Sequence, residues 1–277
     1  MKEALASVSY GRDAFNPHIS RAALDSHYDR HLGVHAVDLV VSHSPRQNHI
    51  FGALPEEDYE RLLPHLELQP LELGCAICEA GDHADFGYFP TTSIITPLCI
   101  MENGSSAAIA IAGSEGVVGI PLFMGGGTIP NRAVVQSAGH AYRLSAKTLK
   151  REFDHGGPLQ HLLLRYTQAL ITQIAQTAMC NQYHCVEQRL CRWLLLTLDR
   201  VSSNELNMTQ ELFADLLGVR RESVTAAAGK LQEAGLISYC RGRITILDRP
   251  TLEARVCECY AVVNREFKRL LPNKALN

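Results

Sequence analysis

Hydrophobic and polar positions follow three different patterns along the chain. No period is visible up to about residue 45, where the sequence is polar and rich in His. From Leu66 to about Leu149, short apolar runs alternate with glycine turn signals, a pattern typical of an antiparallel sandwich or barrel. Within it, Asn103-Gly104 separates ITPLCIM from AAIAIAG and predicts a hairpin. Beyond Gly156-Gly157-Pro158 the apolar residues recur at helical spacing.

Helices are predicted on both sides of this sheet region. Residues 48–64 are expected to be helical, with Glu56, Glu57 and Asp58 in a first turn, where acidic side chains suit the helix dipole. Residues 187–198 (EQRLCRWLLLTL) form an amphipathic helical pattern, and residues 204–207 are expected to be a loop.

A coiled-coil-like stripe follows Pro158. Its positions step alternately by four and three residues: Leu159, Leu163, Tyr166, Leu170, Gln173 and Thr177, with Cys180 next. Such a helix could pack on its own sheet. We favour a dimer seam, because a helix of about 24 residues is roughly 36 Å long and would extend beyond a small barrel.

The stretch MTQELFADLLGVRRESVTAAAGKLQEAGLI, residues 208–237, predicts two short helices joined by a tight turn. Thr209 is placed to cap the first helix, and Gly218 supplies the positive φ of the turn. The second helix begins at Arg220 or Arg221 and ends at Gly235. The buried faces are expected to hold Phe213, Leu216 and Leu217 in the first helix, and Val224, Ala228 and Leu231 in the second.

The outward face of the second helix suits base recognition in the major groove of DNA. Arg221 can donate paired hydrogen bonds to guanine, and Glu222 can accept one from cytosine N4. The hairpin LISYC-RGR-ITIL follows, with Gly242 at a basic tip that would contact phosphates as a wing. The candidate DNA-contact residues are Thr209, Gln210, Arg220, Arg221, Glu222, Ser223, Thr225, Ala226, Arg241 and Arg243. Each feature alone is commonly structural, but their conjunction in one short segment favours DNA binding.

Composition and charge add to this interpretation. The length of 277 residues predicts two domains, and 46% hydrophobic with 20% charged residues suits ordinary buried cores. The net charge of −3 is uneven: residues 1–183 carry −6 and residues 184–277 carry +3, so the C-terminal part would attract a polyanion. We see no signal peptide and no membrane-spanning stretch, and expect a cytoplasmic protein without a membrane partner.

From about Gly52 to Leu247 the sequence resembles the Crp/Fnr family of bacterial transcription regulators. The β-roll of that family is matched by LELGCAICEAGD, YFPTTSIITPL, EGVVGIPLF and PNRAVVQSAGHAYRL, and its winged helix by residues 208–237. The resemblance implies an α+β fold: an antiparallel, jelly-roll-like β-roll, a long dimerisation helix and a C-terminal winged helix-turn-helix domain. The boundaries are then 1–45 for an irregular N-terminal extension, 46–155 for a cyclic-nucleotide-binding-like sensor domain, 156–182 for the dimerisation helix and 183–277 for the DNA-binding domain.

The resemblance also implies function. It makes the protein a homodimer that binds an inverted-repeat operator in double-stranded DNA, with RNA polymerase as a further partner. The family's base-reading Arg-Glu pair falls on Arg221 and Glu222. A further reading Arg of some members falls on Ala226, which implies a different operator or fewer base contacts.

The cyclic AMP site of the family is degenerate in this sequence. Members that bind cyclic AMP use a Gly-Glu pair for the ribose and a Pro-Arg-Ser/Thr-Ala run for the phosphate. Here Gly119-Ile120 and Pro130-Asn131-Arg132-Ala133 stand in those places. The acid is absent, and Arg132 is displaced by one residue, which in a strand points it to the other face. Gly119, Ile120, Asn131, Arg132 and Ala133 form the candidate effector pocket, with the effector unknown, no tight cyclic AMP binding expected and no cofactor assigned.

The nine cysteines raise the question of metal or redox input. Cys75 and Cys78 form a CxxC, but no second CxxC stands at zinc-finger spacing, so a packing role in a strand is favoured. Cys257 and Cys259 are expected on different faces of a late helix. Three further cysteines lie around the predicted hinge and are expected to be mainly buried thiols: Cys180, Cys185 and Cys191.

The histidines predict neither a metal site nor an enzyme active site. The His-rich stretch is attributed to a polar extension rather than to a metal site: His27, His31, His35, His43 and His49. A cupin-type enzyme would need several His on facing strands, whereas the β-roll holds only His83 and His140, so no metal site and no catalytic residues are assigned. The alternative function is a redox or small-molecule sensor that acts mainly through a protein partner.

Overall fold

The computed structural model of the protein describes residues 43–271. Two antiparallel sheets form the first part of this range. The strands are β1 (Glu67–Leu71), β2 (Ala76–Cys78), β3 (Phe86–Pro90), β4 (Ile94–Ile100), β5 (Ser106–Ala108), β6 (Arg132–Ser137) and β7 (Gly139–Ser145). One sheet has the order β1-β7-β3 and the other β2-β6-β4-β5. β4 pairs with β5 around Asn103-Gly104, which confirms the predicted hairpin and the β-roll.

Inward-facing side chains of both sheets build the core. Along β4 the side chains of Ile94 and Ile95 are fully buried, as is Phe89 on β3. The ring centroids of Phe89 and Phe51 are 4.4 Å apart. The segment around Phe51, which precedes the sheets in the sequence, therefore packs against the core of the roll. Burial of such rings supplies most of the stabilisation of a sandwich core.

Short helices frame the roll: α1 (His49–Gly52), α2 (Glu56–Leu62), α3 (Pro121–Met124) and α4 (Ala146–His155). The single helical segment predicted over residues 48–64 is divided, because Pro55 adopts an extended conformation between α1 and α2. The strand pattern expected up to Leu149 ends at Ser145, whose Oγ accepts a hydrogen bond from Thr148 N at 3.2 Å and caps α4.

The C-terminal part is helical around a small sheet. Its helices are α5 (Pro158–Tyr183), α6 (Val186–Leu198), α7 (Gln210–Leu217), α8 (Arg221–Glu233), α9 (Arg249–Arg255) and α10 (Glu258–Leu270). The strands β8 (Glu205–Asn207), β9 (Ile237–Cys240) and β10 (Arg243–Ile246) form a sheet of order β8-β10-β9. The prediction of a loop over residues 204–207 is wrong, because Leu206 pairs with Ile244 and is 4% exposed.

The C-terminal part packs directly on the β-roll. The largely buried Arg200 donates a hydrogen bond from Nε to Glu115 Oε1 at 2.7 Å. Gln136 of β6 donates from Nε2 to Thr197 Oγ1 at 2.9 Å. The turn after α7 lies on β5, where a Cβ added to Gly218 would be 3.0 Å from the Cβ of Ala107. The two parts therefore share one continuous hydrophobic core.

None of the helices described between residues 43 and 271 combines the length and apolar character that crossing a membrane requires.

Candidate DNA interface

The two helices predicted over residues 208–237 form a helix-turn-helix. Thr209 Oγ1 accepts a hydrogen bond from Leu212 N at 3.1 Å and caps α7 as expected. Gly218 has φ 61°, which confirms the predicted left-handed turn. Phe213, Leu216 and Leu217 of α7 belong to the same hydrophobic core as Val224, Ala228 and Leu231 of α8, and all six side chains are buried.

The outward face of α8 is open to solvent. Arg221, Glu222, Thr225 and Ala226 are exposed, and Ser223 is half-buried. Thr225 Oγ1 lies 2.9 Å from Gln210 Oε1, which ties the recognition helix to the start of α7. Within residues 43–271, Arg221 forms no ion pair, so its guanidinium is available to a ligand.

The hairpin of β9 and β10 stands beside this face. Arg241 (φ 49°) and Gly242 (φ 77°) form its tip, with Arg243 at the start of β10. Arg243 is 64% exposed along its side chain and lies 3.9 Å from Glu205, the outer limit of an ion pair.

Three contacts fix the wing against the helices. Met208 N, just before α7, donates a hydrogen bond to Gly242 O at 2.7 Å. The hydroxyl of Tyr239 on β9 donates to Met208 O at 2.9 Å. Burial raises the pKa of Tyr239 to about 12, with Arg221 opposing the shift, so the phenol stays a donor at neutral pH. The predicted contact residues of α7, α8 and the hairpin therefore belong to one continuous surface.

Comparisons with known proteins identify this arrangement. A family model described as the Crp-like helix-turn-helix domain matches residues 188–255. Among curated proteins, none matches the chain in sequence. A solved structure of a putative transcriptional regulator of the Crp/Fnr family from Eubacterium rectale is 18% identical, with a TM-score of 0.59 over 74% of this chain and 96% of that one.

Two further solved structures are similar. FixK2 from Bradyrhizobium japonicum is 15% identical, with a TM-score of 0.58 over 69% of this chain and 98% of that one. The c-di-GMP responsive global regulator CLP of Xanthomonas campestris is 17% identical, with a TM-score of 0.58 over 70% of this chain and all of that one, 100%. The chain has the Crp/Fnr fold and a Crp-like helix-turn-helix domain. The domain and these neighbours are those of transcription regulators, not of enzymes.

The five residues predicted to form the effector pocket of the Crp/Fnr fold are engaged in other contacts or lie in the backbone of the roll. Arg132 Nε lies 3.3 Å from Glu79 Oε1 in an ion pair. Asn131 Oδ1 accepts a hydrogen bond from Cys99 Sγ at 3.2 Å. Ala133 is buried on β6, and the pair Gly119-Ile120 leads into α3.

A cavity of about 280 Å³ opens in the roll nearby, and none of those five residues lines it. The polar side chains in its lining include those of Asp82, His83, Asp85 and Arg143. The charge of Arg143 is already engaged, because its guanidinium lies 2.7 Å from Glu67 Oε2 and 4.2 Å above the ring of Phe86. Two carboxylates in the lining disfavour an anion such as a cyclic phosphate.

The six residues predicted as a dimer seam on α5 face the interior of their own chain. Leu159, Leu163, Tyr166, Gln173 and Thr177 are buried, and Leu170 is half-buried. The β-roll and α10 occupy this face: Gln173 Oε1 accepts a hydrogen bond from Ile111 N at 3.4 Å, and the ring of Tyr166 meets that of Phe267 edge-on at 6.3 Å.

A different stripe of α5 is exposed. Its positions step by four, three, four and three residues: Leu164, Gln168, Ile171, Ala175 and Ala178. Leu164 and Ile171 are 45% and 54% exposed, and the adjacent Met179 is 51% exposed, which is unusual for side chains of this size. This exposed stripe is the α5 surface that a second chain can reach.

The cysteines fall into exposed and buried sets. Cys75, Cys99, Cys185 and Cys240 are exposed, Cys78 is half-buried, and Cys180, Cys191, Cys257 and Cys259 are buried. The expectation that Cys257 and Cys259 point to different faces of one helix is wrong. Cys257 precedes α10 in an extended conformation (φ −71°, ψ 160°), so helical periodicity does not separate the two thiols.

Sequence reasoning missed what these thiols form. Cys257 and Cys259 meet Cys180 and His184 at the end of α5. The available signal was a Cys-x₃-His and a Cys-x-Cys spacing, but a gap of more than seventy residues separates them and hides the pairing. The attribution of His27, His31 and His35 to a polar extension rather than to a metal site concerns residues outside the described part of the chain.

Proposed function

We propose that the protein is a sequence-specific DNA-binding transcription regulator that acts as a homodimer in the cytoplasm. The observation that carries the proposal is the continuous exposed surface formed by the first turn of α8, the N-cap of α7 and the hairpin tip. On this surface Thr225 contacts Gln210, and the backbone of Met208 contacts Gly242. A recognition helix and a wing that share one surface can engage a groove and its flanking phosphates together.

The side chains on this surface suggest how a base pair is read. In the proposed complex, Arg221 donates to guanine O6 and N7, and Glu222 accepts from cytosine N4. Arg220, Arg241 and Arg243 contact phosphates, as do the hydroxyls of Ser223 and Thr209. Ala226 adds no polar group, so fewer base contacts are expected one turn further along α8.

A two-fold symmetric dimer supplies the second half-site. We propose that two copies pair along the exposed stripe of α5 rather than along the stripe first predicted, since the latter is filled by the chain's own core. Apolar residues at alternating steps of three and four are typical of a helix–helix seam. Two recognition helices about 34 Å apart would then read an inverted repeat. We also propose that the dimer contacts RNA polymerase, because the resemblance to the Crp/Fnr family implies this partner.

The signal that the β-roll would sense is not cyclic AMP in this proposal. Among the described residues that line the cavity of the roll, the one arginine, Arg143, is paired with Glu67, and Arg132 outside the lining is paired with Glu79. We expect titration calorimetry with cyclic AMP to show no binding up to millimolar concentration. A micromolar dissociation constant would contradict this part of the proposal and leave the DNA-binding part intact.

Selection from a random-sequence DNA library tests the main proposal. The purified full chain should enrich an inverted repeat. Its affinity for that repeat should fall steeply with salt, because phosphate contacts release counterions. If no sequence is enriched, or binding is insensitive to salt, the winged helix serves a protein partner instead and the proposal fails.

A further inference from the structure

Four potential metal ligands converge where α5 ends and α10 begins. Cys180 lies in the last turn of α5, and His184 follows its end. Cys257 precedes α10, and Cys259 is its second residue. The ligand atoms of these four side chains all lie within 4.8 Å of one another. No other group of three or more such side chains comes together in the part of the chain that the structure describes.

The spacing of the ligand atoms suits one ion. Cys180 Sγ lies 3.6 Å from Cys257 Sγ, and Cys259 Sγ lies 3.7 Å from His184 Nδ1. In a tetrahedral zinc site, with Zn–S of about 2.3 Å and Zn–N of about 2.0 Å, neighbouring ligand atoms are about 3.5–3.8 Å apart. A disulfide would require sulfur atoms about 2.0 Å apart. An iron–sulfur cluster would place several iron and sulfide atoms between its cysteines, for which this space is too small.

The cluster is closed to solvent. Cys180, Cys257 and Cys259 are 0%, 3% and 2% exposed, and the side chain of His184 is 15% exposed. Four protein ligands with no open position are typical of structural rather than catalytic zinc. His184 also has a partner on its other ring nitrogen, since Nε2 lies 3.4 Å from Glu258 Oε2. A carboxylate at that place fixes the ring orientation of a metal-bound histidine.

A buried arginine gives independent support through its charge. Arg192 is 3% exposed, and its Nη2 donates to Thr177 Oγ1 at 3.0 Å. Its Nε has no hydrogen-bond partner, and no carboxylate within residues 43–271 pairs with it. The three cysteines of the cluster act electrostatically on this guanidinium and favour its charge when they are thiolates, whereas Arg200 disfavours it. A buried guanidinium without a counter-charge is costly. Three thiolates and one neutral imidazole around Zn²⁺ carry a net charge of −1, which balances it.

We propose that Cys180, His184, Cys257 and Cys259 bind one Zn²⁺ ion, with Glu258 orienting His184. The ion connects the start of α10 to the C-terminal end of α5. Its ligand His184 lies two residues before the first residue of α6. The ion thereby holds together the junction between α5 and the helix-turn-helix domain. The site stands independently of the proposed DNA-binding function.

Metal analysis of the full-length protein tests the site. The protein is produced in zinc-supplemented medium and purified without chelators under reducing conditions, and metals are counted by mass spectrometry. We expect one zinc ion per chain. The double variant Cys257→Ser/Cys259→Ser should lose nearly all of it. The matched control Cys75→Ser/Cys78→Ser removes the same number of thiols on the β-roll and should keep it.

X-ray absorption spectroscopy of the wild-type protein tests the site directly, even if the Cys257→Ser/Cys259→Ser variant fails to fold. The expected zinc environment is three sulfur atoms at about 2.3 Å and one nitrogen atom at about 2.0 Å. The proposal is overturned by a chain without zinc, by iron and sulfide in its place, or by a Cys180–Cys257 disulfide in the reduced protein. It is equally overturned if the Cys257→Ser/Cys259→Ser variant folds and retains the metal.

Discussion

At the wing tip, one residue departs from its preferred backbone conformation. Arg241 has φ 49° and precedes Gly242 with φ 77°, so both central residues of the turn are left-handed. Two-residue hairpin turns of this kind normally carry Asn-Gly or Asp-Gly. An Arg in this region costs roughly 1 kcal/mol or more. In the proposed complex with DNA, a phosphate contact of the Arg241 side chain offsets this cost.

Replacing this arginine separates stability from binding. We expect Arg241→Asn to leave the free energy of unfolding unchanged or raise it by up to about 1 kcal/mol, because Asn tolerates the left-handed region. DNA affinity should fall, and the slope of log affinity against log salt should decrease in magnitude by about two, one for each half-site of the inverted repeat. Denaturant titration and fluorescence anisotropy measure the two effects. The exposed Arg265 on α10 offers the control Arg265→Asn, which makes the same charge change; equal salt slopes for both variants would argue against a wing contact.

Local signals explain which residues could be predicted from the sequence. The cap at Thr209, the turn at Gly218 and the hairpin at Asn103-Gly104 each depend on neighbours within a few residues, and the structure contains all three. The placement of Arg132 depends on a pairing with Glu79 across the sheet, which no local pattern reports.

Among the elements, α5 shows where periodicity is ambiguous. Its sequence carries two stripes with the same spacing, and the more apolar one is buried by the β-roll and α10. Sequence periodicity identifies a face to be covered but does not say which part of the protein covers it. In the structure, α10 packs against the more apolar stripe of α5 through contacts such as that of Tyr166 with Phe267. This packing leaves the other stripe of α5 exposed.

The remaining stripe gives a prediction for assembly. We expect Ile171→Glu to weaken the dimer about tenfold or more, since two glutamates would face each other in an apolar seam. Sedimentation velocity over a concentration series measures the dissociation constant. Met101→Glu is the matched control, because Met101 is 65% exposed at the β4–β5 hairpin and away from α5. A dimer unaffected by Ile171→Glu would place the interface elsewhere.

At the scale of the whole molecule, the order of domains and the fold class followed from the sequence, whereas the contacts between domains did not. The β-roll and the C-terminal part are held together by Arg200 with Glu115 and by Gln136 with Thr197. The four-residue cluster around Cys180 is a further long-range feature. Such pairs join segments far apart in sequence, and the residue types alone do not show which residues will meet. The β-roll and the winged helix share one hydrophobic core, and in the proposed regulator a signal would pass through it to the DNA interface.

Two charge-matched double variants, compared on the DNA selected by the wild-type chain, test whether α8 reads the base sequence. Arg221→Ala/Glu222→Ala removes one positive and one negative charge from the first turn of α8. Glu266→Ala/Arg269→Ala removes the same charges from the ion pair on α10, at 2.8 Å. Affinities for the inverted repeat and for scrambled DNA are measured by fluorescence anisotropy at one fixed salt concentration.

We expect the α8 variant to lose its preference for the inverted repeat, by at least about tenfold to a hundredfold, since a good base contact contributes about 1–3 kcal/mol per half-site. Its binding to scrambled DNA should change little, and the α10 variant should behave as wild type. If the α8 variant keeps the wild-type preference for the inverted repeat, Arg221 and Glu222 do not read DNA and α8 is not the recognition helix.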